Sequence, residues 1–324
     1  MYSSTSSFRA ELKVVAVVLL VLAGSEVLLR FGEPLLSLDV KHIRQIPAIS
    51  QSLVAGKGER ILFLGNSQVR AGIDPDVIEQ ELKARGVAPV HIERVFPDAT
   101  SLPDWSRAFK HYFISKARLP EVLVLCFSDV ALQDSNVVDP TRLGHYYSSP
   151  GEVPEILDQD LRGFDNRAEF VLASLSFSFA NRMRVRTRAL DLIVPGYRDS
   201  AQRINHNMKR SHSETIAKNS YNRLANFLSL AKEQGVRVIV VAMPQPIAYS
   251  LDPTIKSTVE RSGMSLLDCR NVDGISAASF ADEIHLATSG ALIYSRFLGR
   301  ELAGAIGKIT ARASLASEAR QSSR

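Results

Sequence analysis

The stretch Arg60-Ile61-Leu62-Phe63-Leu64-Gly65-Asn66-Ser67-Gln68-Val69-Arg70 decides how this chain is read. Its apolar run stops at a Gly-Asn-Ser turn, the pattern of a strand covered on both faces. Gly65 permits the sharp change of direction that would expose the Ser67 hydroxyl. In a doubly wound α/β sheet the carboxyl edge of the strands is where ligands bind, and a nucleophile would be presented there. A Gly-Asn-Ser tripeptide alone also fits an ordinary loop, so the reading needs partners elsewhere in the chain.

Those partners come from Asp282-Glu283-Ile284-His285-Leu286, near the other end. A serine hydroxyl is a poor nucleophile at neutral pH unless an imidazole takes its proton and a carboxylate holds that imidazole in the right tautomer. An Asp-x-x-His tetrapeptide can set the carboxylate beside the ring from one turn. A single histidine is more often structural, and it is the combination of Ser67, His285 and Asp282 that points to nucleophilic catalysis.

A Gly-Asn-Ser after the first strand, with Asp-x-x-His-Leu between the last strand and the last helix, resembles the SGNH (GDSL-type) hydrolase superfamily. Within it the chain is most similar to membrane-anchored SGNH-like proteins that act in O-acylation of cell-surface polysaccharides, including those of alginate acetylation. The resemblance covers residues 59 to 307, and its two ends carry the specific motifs. It implies a flavodoxin-like α/β fold, Ser67 as nucleophile, His285 as base and Asp282 as the residue that orients it. It also implies a polysaccharide acceptor and a membrane-bound O-acyltransferase that delivers the acyl group. No cofactor or metal is expected.

The same resemblance marks where an oxyanion would be held, with the Ser67 backbone as one donor. The family glycine whose N–H faces the oxyanion corresponds here to Asp98, in Pro97-Asp98-Ala99-Thr100. A backbone donor survives any side chain, but a carboxylate beside developing negative charge opposes it. The family Asn at the end of the third strand corresponds to Ser128, a weaker hydroxyl donor, with Asn136 able to reach in from the following loop. A missing donor of this kind costs about 3 kcal/mol of transition-state stabilisation. The departures at Asp98 and Ser128 therefore keep open a fold that binds but no longer turns over.

The rest of residues 59 to 307 alternates strand and helix. Strands are expected at Arg60–Leu64, Val90–Phe96, Val122–Phe127, Val236–Met243 and Met264–Leu267, giving a parallel sheet of order 2-1-3-4-5. Asp74-Pro75 and Asp252-Pro253 open helices, with Pro at the first helical position. Leu102 to Lys116 reads as a helix with a core-facing stripe at Trp105, Phe109, Tyr112 and Phe113. Ser213 caps a helix that stops at Gly235, and Ala287 to Ile306 closes the domain. Residues 308 to 324 form a Ser, Ala and Arg rich tail, expected to fray.

Residues 130 to 212 break the rhythm and are expected to form a helical cap over the carboxyl ends of the strands. Arg182, Arg184, Arg186 and Arg188 concentrate charge there, in a chain of net charge +5. They suit an acidic polymer or phospholipid headgroups, and equally a solvated face. No nucleic-acid motif accompanies them.

With 324 residues, 45% of them hydrophobic, the chain can bury a full α/β core. Its two cysteines, Cys126 and Cys269, give neither a disulfide framework nor a zinc site and read as buried thiols. Residues 14 to 31 form an apolar run of roughly 27 Å if helical, the hydrocarbon thickness of a bilayer. Arg9 and Lys13 ahead of it predict a cytoplasmic N-terminus, residues 1 to 13, and a main domain beyond the inner membrane of a bacterium. A cleaved signal peptide ending near Val21-Leu22-Ala23 is the rival reading, but apolar character continues through Val27, Leu28 and Leu29. Glu26 is costly in lipid and is expected to snorkel or to meet a helix partner. Residues 32 to 58 read as a mixed polar and apolar connector that would hold the globular part off the bilayer.

Overall fold

Strand burial follows from the apolar runs. Every residue of Val122–Phe127 is buried, as are Ile61, Leu62, Phe63 and Leu64. Both faces of these strands must therefore be covered, and only crossover connections supply the helices to do so. The computed structural model describes residues 5–87, 89–197 and 220–322. In chain order the elements are α1 (Thr5–Gly32), α2 (Leu38–Ala55), β1 (Glu59–Leu64), α3 (Ser67–Gly72), α4 (Pro75–Ala84), β2 (Val90–Val95), α5 (Leu102–Phe109) and β3 (Val122–Phe127). Then come α6 (Pro140–Tyr146), α7 (Val153–Gln159), α8 (Phe164–Leu175), α9 (Phe177–Ile193), α10 (Asn222–Glu233), β4 (Arg237–Ala242), α11 (Pro253–Arg261), β5 (Ser265–Asp268) and α12 (Thr288–Ser322).

These elements divide into two units, residues 1–44 with 139–217, and residues 45–138 with 218–324. The second carries the sheet, all parallel, in the order β2-β1-β3-β4-β5. Leu64 pairs with Val95 on one side and Leu125 on the other, so β1 is interior and its carboxyl end opens between two neighbours. One layer of the core joins Phe63, Val124, Cys126 and Val241 to Tyr294 and Leu298 of α12. That helix packs on α4, where a side chain at Gly299 would meet the Glu81 Cβ at 2.7 Å. A glycine is what permits the two helices to lie this close.

The structure departs from expectation at several connections. The connector 32 to 58 contains α2, with Pro47 inside that helix. Val40, Ile43, Ile46, Ser50 and Leu53 are fully buried at helical spacing, a stripe that outweighs the proline. The carbonyl of Pro47 accepts from the Ser50 hydroxyl at 2.8 Å. The Leu102 helix ends its α-helical part at Phe109 and widens into a π turn over Lys110–Ile114. The closing helix runs on to Ser322 rather than ending at Ile306. The expected cap at Ser213 lies outside the described residues.

The described residues of the unit 1–44 with 139–217 carry helices and no strand. The part of the expected insertion from residue 139 onward folds together with α1 in this unit. The apolar segment Ala10–Leu35 is long and apolar enough to cross a membrane, and its most apolar stretch is wholly exposed. A signal sequence meets the same criterion of length and composition. Glu26 does not snorkel but meets a helix partner. Its carboxylate accepts from the backbone N–H groups of Phe177 at 2.8 Å and Ser178 at 3.2 Å, and from the Ser176 hydroxyl. It thereby fills the place of the missing acceptors at the start of α9. One face further along, Glu33 is fully buried and accepts from Asn181 Nδ2 at 2.7 Å and Arg44 Nε, with His145 Nε2 at 3.0 Å.

Candidate active site

Ser67 lies at the first position of α3, directly beyond the carboxyl end of β1. Asn66 caps the helix, its side chain accepting from the Gln68 N–H at 3.0 Å. Gly65 is where β1 must turn. A Cβ there would meet Val69 Cγ2 at 2.5 Å and the Cys126 carbonyl oxygen at 2.8 Å, so no larger residue fits without displacement.

His285 reaches Ser67 from the loop between β5 and α12. Its Nε2 is 2.8 Å from Ser67 Oγ, and its Nδ1 is 2.8 Å from Asp282 Oδ2. The loop is a tight reversal closed by an antiparallel bridge between Phe280 and Leu286, with Ala281 N–H donating to the His285 carbonyl at 2.8 Å. Asp282 Oδ1 also accepts from the backbone N–H groups of Ile284 at 2.9 Å and His285 at 2.8 Å. One short turn thus positions both imidazole and carboxylate. An ionised carboxylate can only accept, so Nδ1 carries the proton and Nε2 is left to accept from the serine hydroxyl. Partial burial pushes the Asp282 carboxyl up, but the hydrogen bond from His285 and those from the two backbone N–H groups outweigh it and hold the group below its ordinary value.

The residues expected to hold an oxyanion are arranged differently. Ser128 is buried, but its hydroxyl donates to Gln68 Oε1 and accepts from Gln245 Nε2 at 2.9 Å. Its proton is already committed, which corrects the expectation of a donor aimed into the site. The Asn136 amide donates to the carbonyls of Val130 at 2.7 Å and Gln133 at 3.0 Å, so it braces its own loop. Asp98 sits in the turn after β2 with its carboxylate 3.4 Å from Arg70 Nη2, and the partner cation offsets the negative charge that the sequence placed near the site. The turn is pinned from below: Thr100 donates to the Pro97 carbonyl at 2.6 Å and accepts from Trp105 Nε1 at 2.9 Å. Ala99 there has φ 55°, a left-handed conformation that only such pinning sustains.

The arginine cluster belongs to α9, in the helical unit. Arg182 pairs with Glu169 and lies 3.8 Å from the Phe179 ring centroid, and Arg184 stands 3.9 Å from Asp39. These two arginines already hold carboxylate partners, while Arg186 and Arg188 are exposed. Among the described residues no group of three or more His, Cys, Asp or Glu side chains could hold a metal ion.

Sequence reasoning missed the bridge made by Gln68. Besides accepting from Ser128, its Nε2 donates to the carbonyl of Ile284, next to the base, at 3.4 Å. Nothing in the local pattern marks it, because its partners lie on loops far away in the chain. Replacing Gln68 by Leu leaves the buried Ser128 proton and the Ile284 carbonyl without this partner. The expected result is a stability loss of about 1–3 kcal/mol by urea unfolding, with the His285 loop exchanging amide protons faster.

No family model and no curated protein matches the chain. Solved structures do. The acetylxylan esterase Axe2 of Geobacillus stearothermophilus aligns at 12% identity over 76% of this chain and 95% of its own, with a TM-score of 0.39. A proposed acylhydrolase of Bacteroides fragilis aligns at 10% identity over 83% and 96%, with a TM-score of 0.37. The fold assignment rests on the observed strand order itself.

Proposed function

We propose that this chain is a membrane-anchored acyl-transferring enzyme that works through an acyl-serine and O-acetylates an exported or cell-surface polysaccharide. The observation that carries the reading is the unbroken hydrogen-bonded series from Asp282 through His285 to Ser67. Ser67 Oγ attacks the acyl carbonyl while its proton passes to His285 Nε2. The tetrahedral oxyanion is met by backbone N–H groups at Ser67 and Asp98, the first of which has no acceptor within its helix. His285 then gives the proton to the leaving group, and the acyl-serine remains. In the second half a sugar hydroxyl loses its proton to His285 and attacks the acyl carbon, so that the new ester forms as Ser67 is released.

The sugar acceptor is favoured over water by the resemblance in motif and by the apolar N-terminal helix, which would hold the domain on the outer side of a bacterial inner membrane with the N-terminus in the cytoplasm. A membrane-bound O-acyltransferase would supply the acyl group. The committed Ser128 proton favours a second reading, a binding or assembly protein of the same pathway without turnover. The full chain in detergent is offered an activated acetyl ester, with and without oligosaccharide. Oligosaccharide-dependent acetylation supports the transferase, release of acetate independent of sugar supports an esterase, and equal rates for the native protein and Ser67→Ala leave only the binding protein.

A further inference from the structure

The contact at Glu26 has a geometric consequence for the bilayer. The apolar segment Ala10–Leu35 is 26 residues long, whereas the hydrocarbon core accommodates about 20 helical residues. Every window of about 20 residues inside 10–35 contains residue 26, so any placement of the span puts Glu26 at hydrocarbon depth. A bare carboxylate there would be unfavourable, and Glu26 is not bare. It is held by Ser176, Phe177 and Ser178, and Ser25 adds a hydroxyl contact to Ser178 at 2.8 Å. The corner between α8 and α9 is therefore carried to the depth of residue 26.

The surface next to that corner is apolar. On α8, Phe164, Val171, Leu172 and Leu175 share one face, and they are 83%, 42%, 48% and 78% exposed. Phe170 and Ala173 fill the opposite, buried face. On α1 and the turn that follows it, the residues opposite Glu26 and Glu33 show the same character, with Leu28, Phe31 and Leu35 all exposed. Water is a poor environment for either surface.

We propose that the α8–α9 corner is a second membrane contact, dipping into the outer edge of the bilayer beside the span, with Leu172 and Leu175 against lipid acyl chains. This rests on the reading of α1 as a retained anchor. Its physical logic is that one carboxylate both caps α9 and carries its first turn down to the membrane, while the exposed stripe on α8 replaces water with lipid there. The occupant is lipid rather than another protein, because the stripe adjoins a helix whose most apolar stretch is itself wholly exposed.

The full chain, reconstituted in phosphatidylcholine and phosphatidylglycerol vesicles, tests this by site-directed spin labelling. Cys126 and Cys269 are buried, so a new surface cysteine is labelled selectively. Labels are placed at Leu175→Cys and Leu172→Cys, with Leu28→Cys marking the span and Lys256→Cys as an aqueous control. Collisions with oxygen are expected to exceed those with a water-soluble nickel chelate at Leu172, Leu175 and Leu28, and to fall below them at Lys256. Lipid-like behaviour at Leu28 with chelate-accessible labels at Leu172 and Leu175 would overturn the second contact and leave the anchor standing. Chelate access at Leu28 as well would remove the anchor and the inference with it. Shielding of Leu175 from both reagents would assign the stripe to a protein and likewise overturn it.

Discussion

Ser67→Ala is expected to lower kcat by about four to six decades while leaving the far-UV circular dichroism and unfolding midpoint near those of the native chain. Loss of the attacking oxygen removes the covalent route entirely, and what survives is binding and whatever stabilisation the backbone N–H groups give a water-driven reaction. Asp282→Asn is expected to cost about four decades, because an amide can stabilise the wrong imidazole tautomer and leave Nε2 carrying the proton. Steady-state release of acetate from an activated ester measures both. Retention of more than a tenth of the native rate by either variant would show that the hydrogen-bonded series ending at Ser67 is not the seat of turnover.

Trp105→Ala is expected to be among the most destabilising single changes, at about 3–5 kcal/mol by urea unfolding. The indole is fully buried and donates to Thr100 Oγ1 at 2.9 Å. Truncation leaves both a cavity and an unmet acceptor under the turn that carries Asp98. Trp105→Phe separates the effects, since it keeps most of the volume and removes only the donor, with an expected loss of about 1–2 kcal/mol. If the turn at residues 97–100 contributes to oxyanion binding, the Phe variant also lowers kcat with KM little changed. An unfolding midpoint for Trp105→Ala equal to that of the native chain would show that the core relaxes around the gap.

The parts of the fold legible in the sequence are those where one local pattern is sufficient. β1 and β3 were readable because burial on both faces demands unbroken apolar runs, while the order of the sheet came from the family resemblance together with the strand and helix alternation. The contact of Asp282 with His285 was readable because a single reversal holds both, so the Asp-x-x-His spacing carries the geometry in itself. Gln68, Ser128 and Gln245 were not, because their hydrogen bonds join loops whose residues are 60 and 117 positions apart. Glu26 posed the same difficulty, its acceptor role being set by a helix start 150 residues away. On α9 the arginine density could be read from composition, but the pairing of Arg182 with Glu169 and of Arg184 with Asp39 could not, since both carboxylates come from other helices.

Ser67 and His285 are 218 positions apart in a sheet-bearing unit assembled from two separate stretches of chain. During synthesis the hydroxyl therefore leaves the ribosome well before the imidazole. Under the proposed mechanism Ser67 stays an ordinary alcohol until the loop carrying Asp282 and His285 docks beside it.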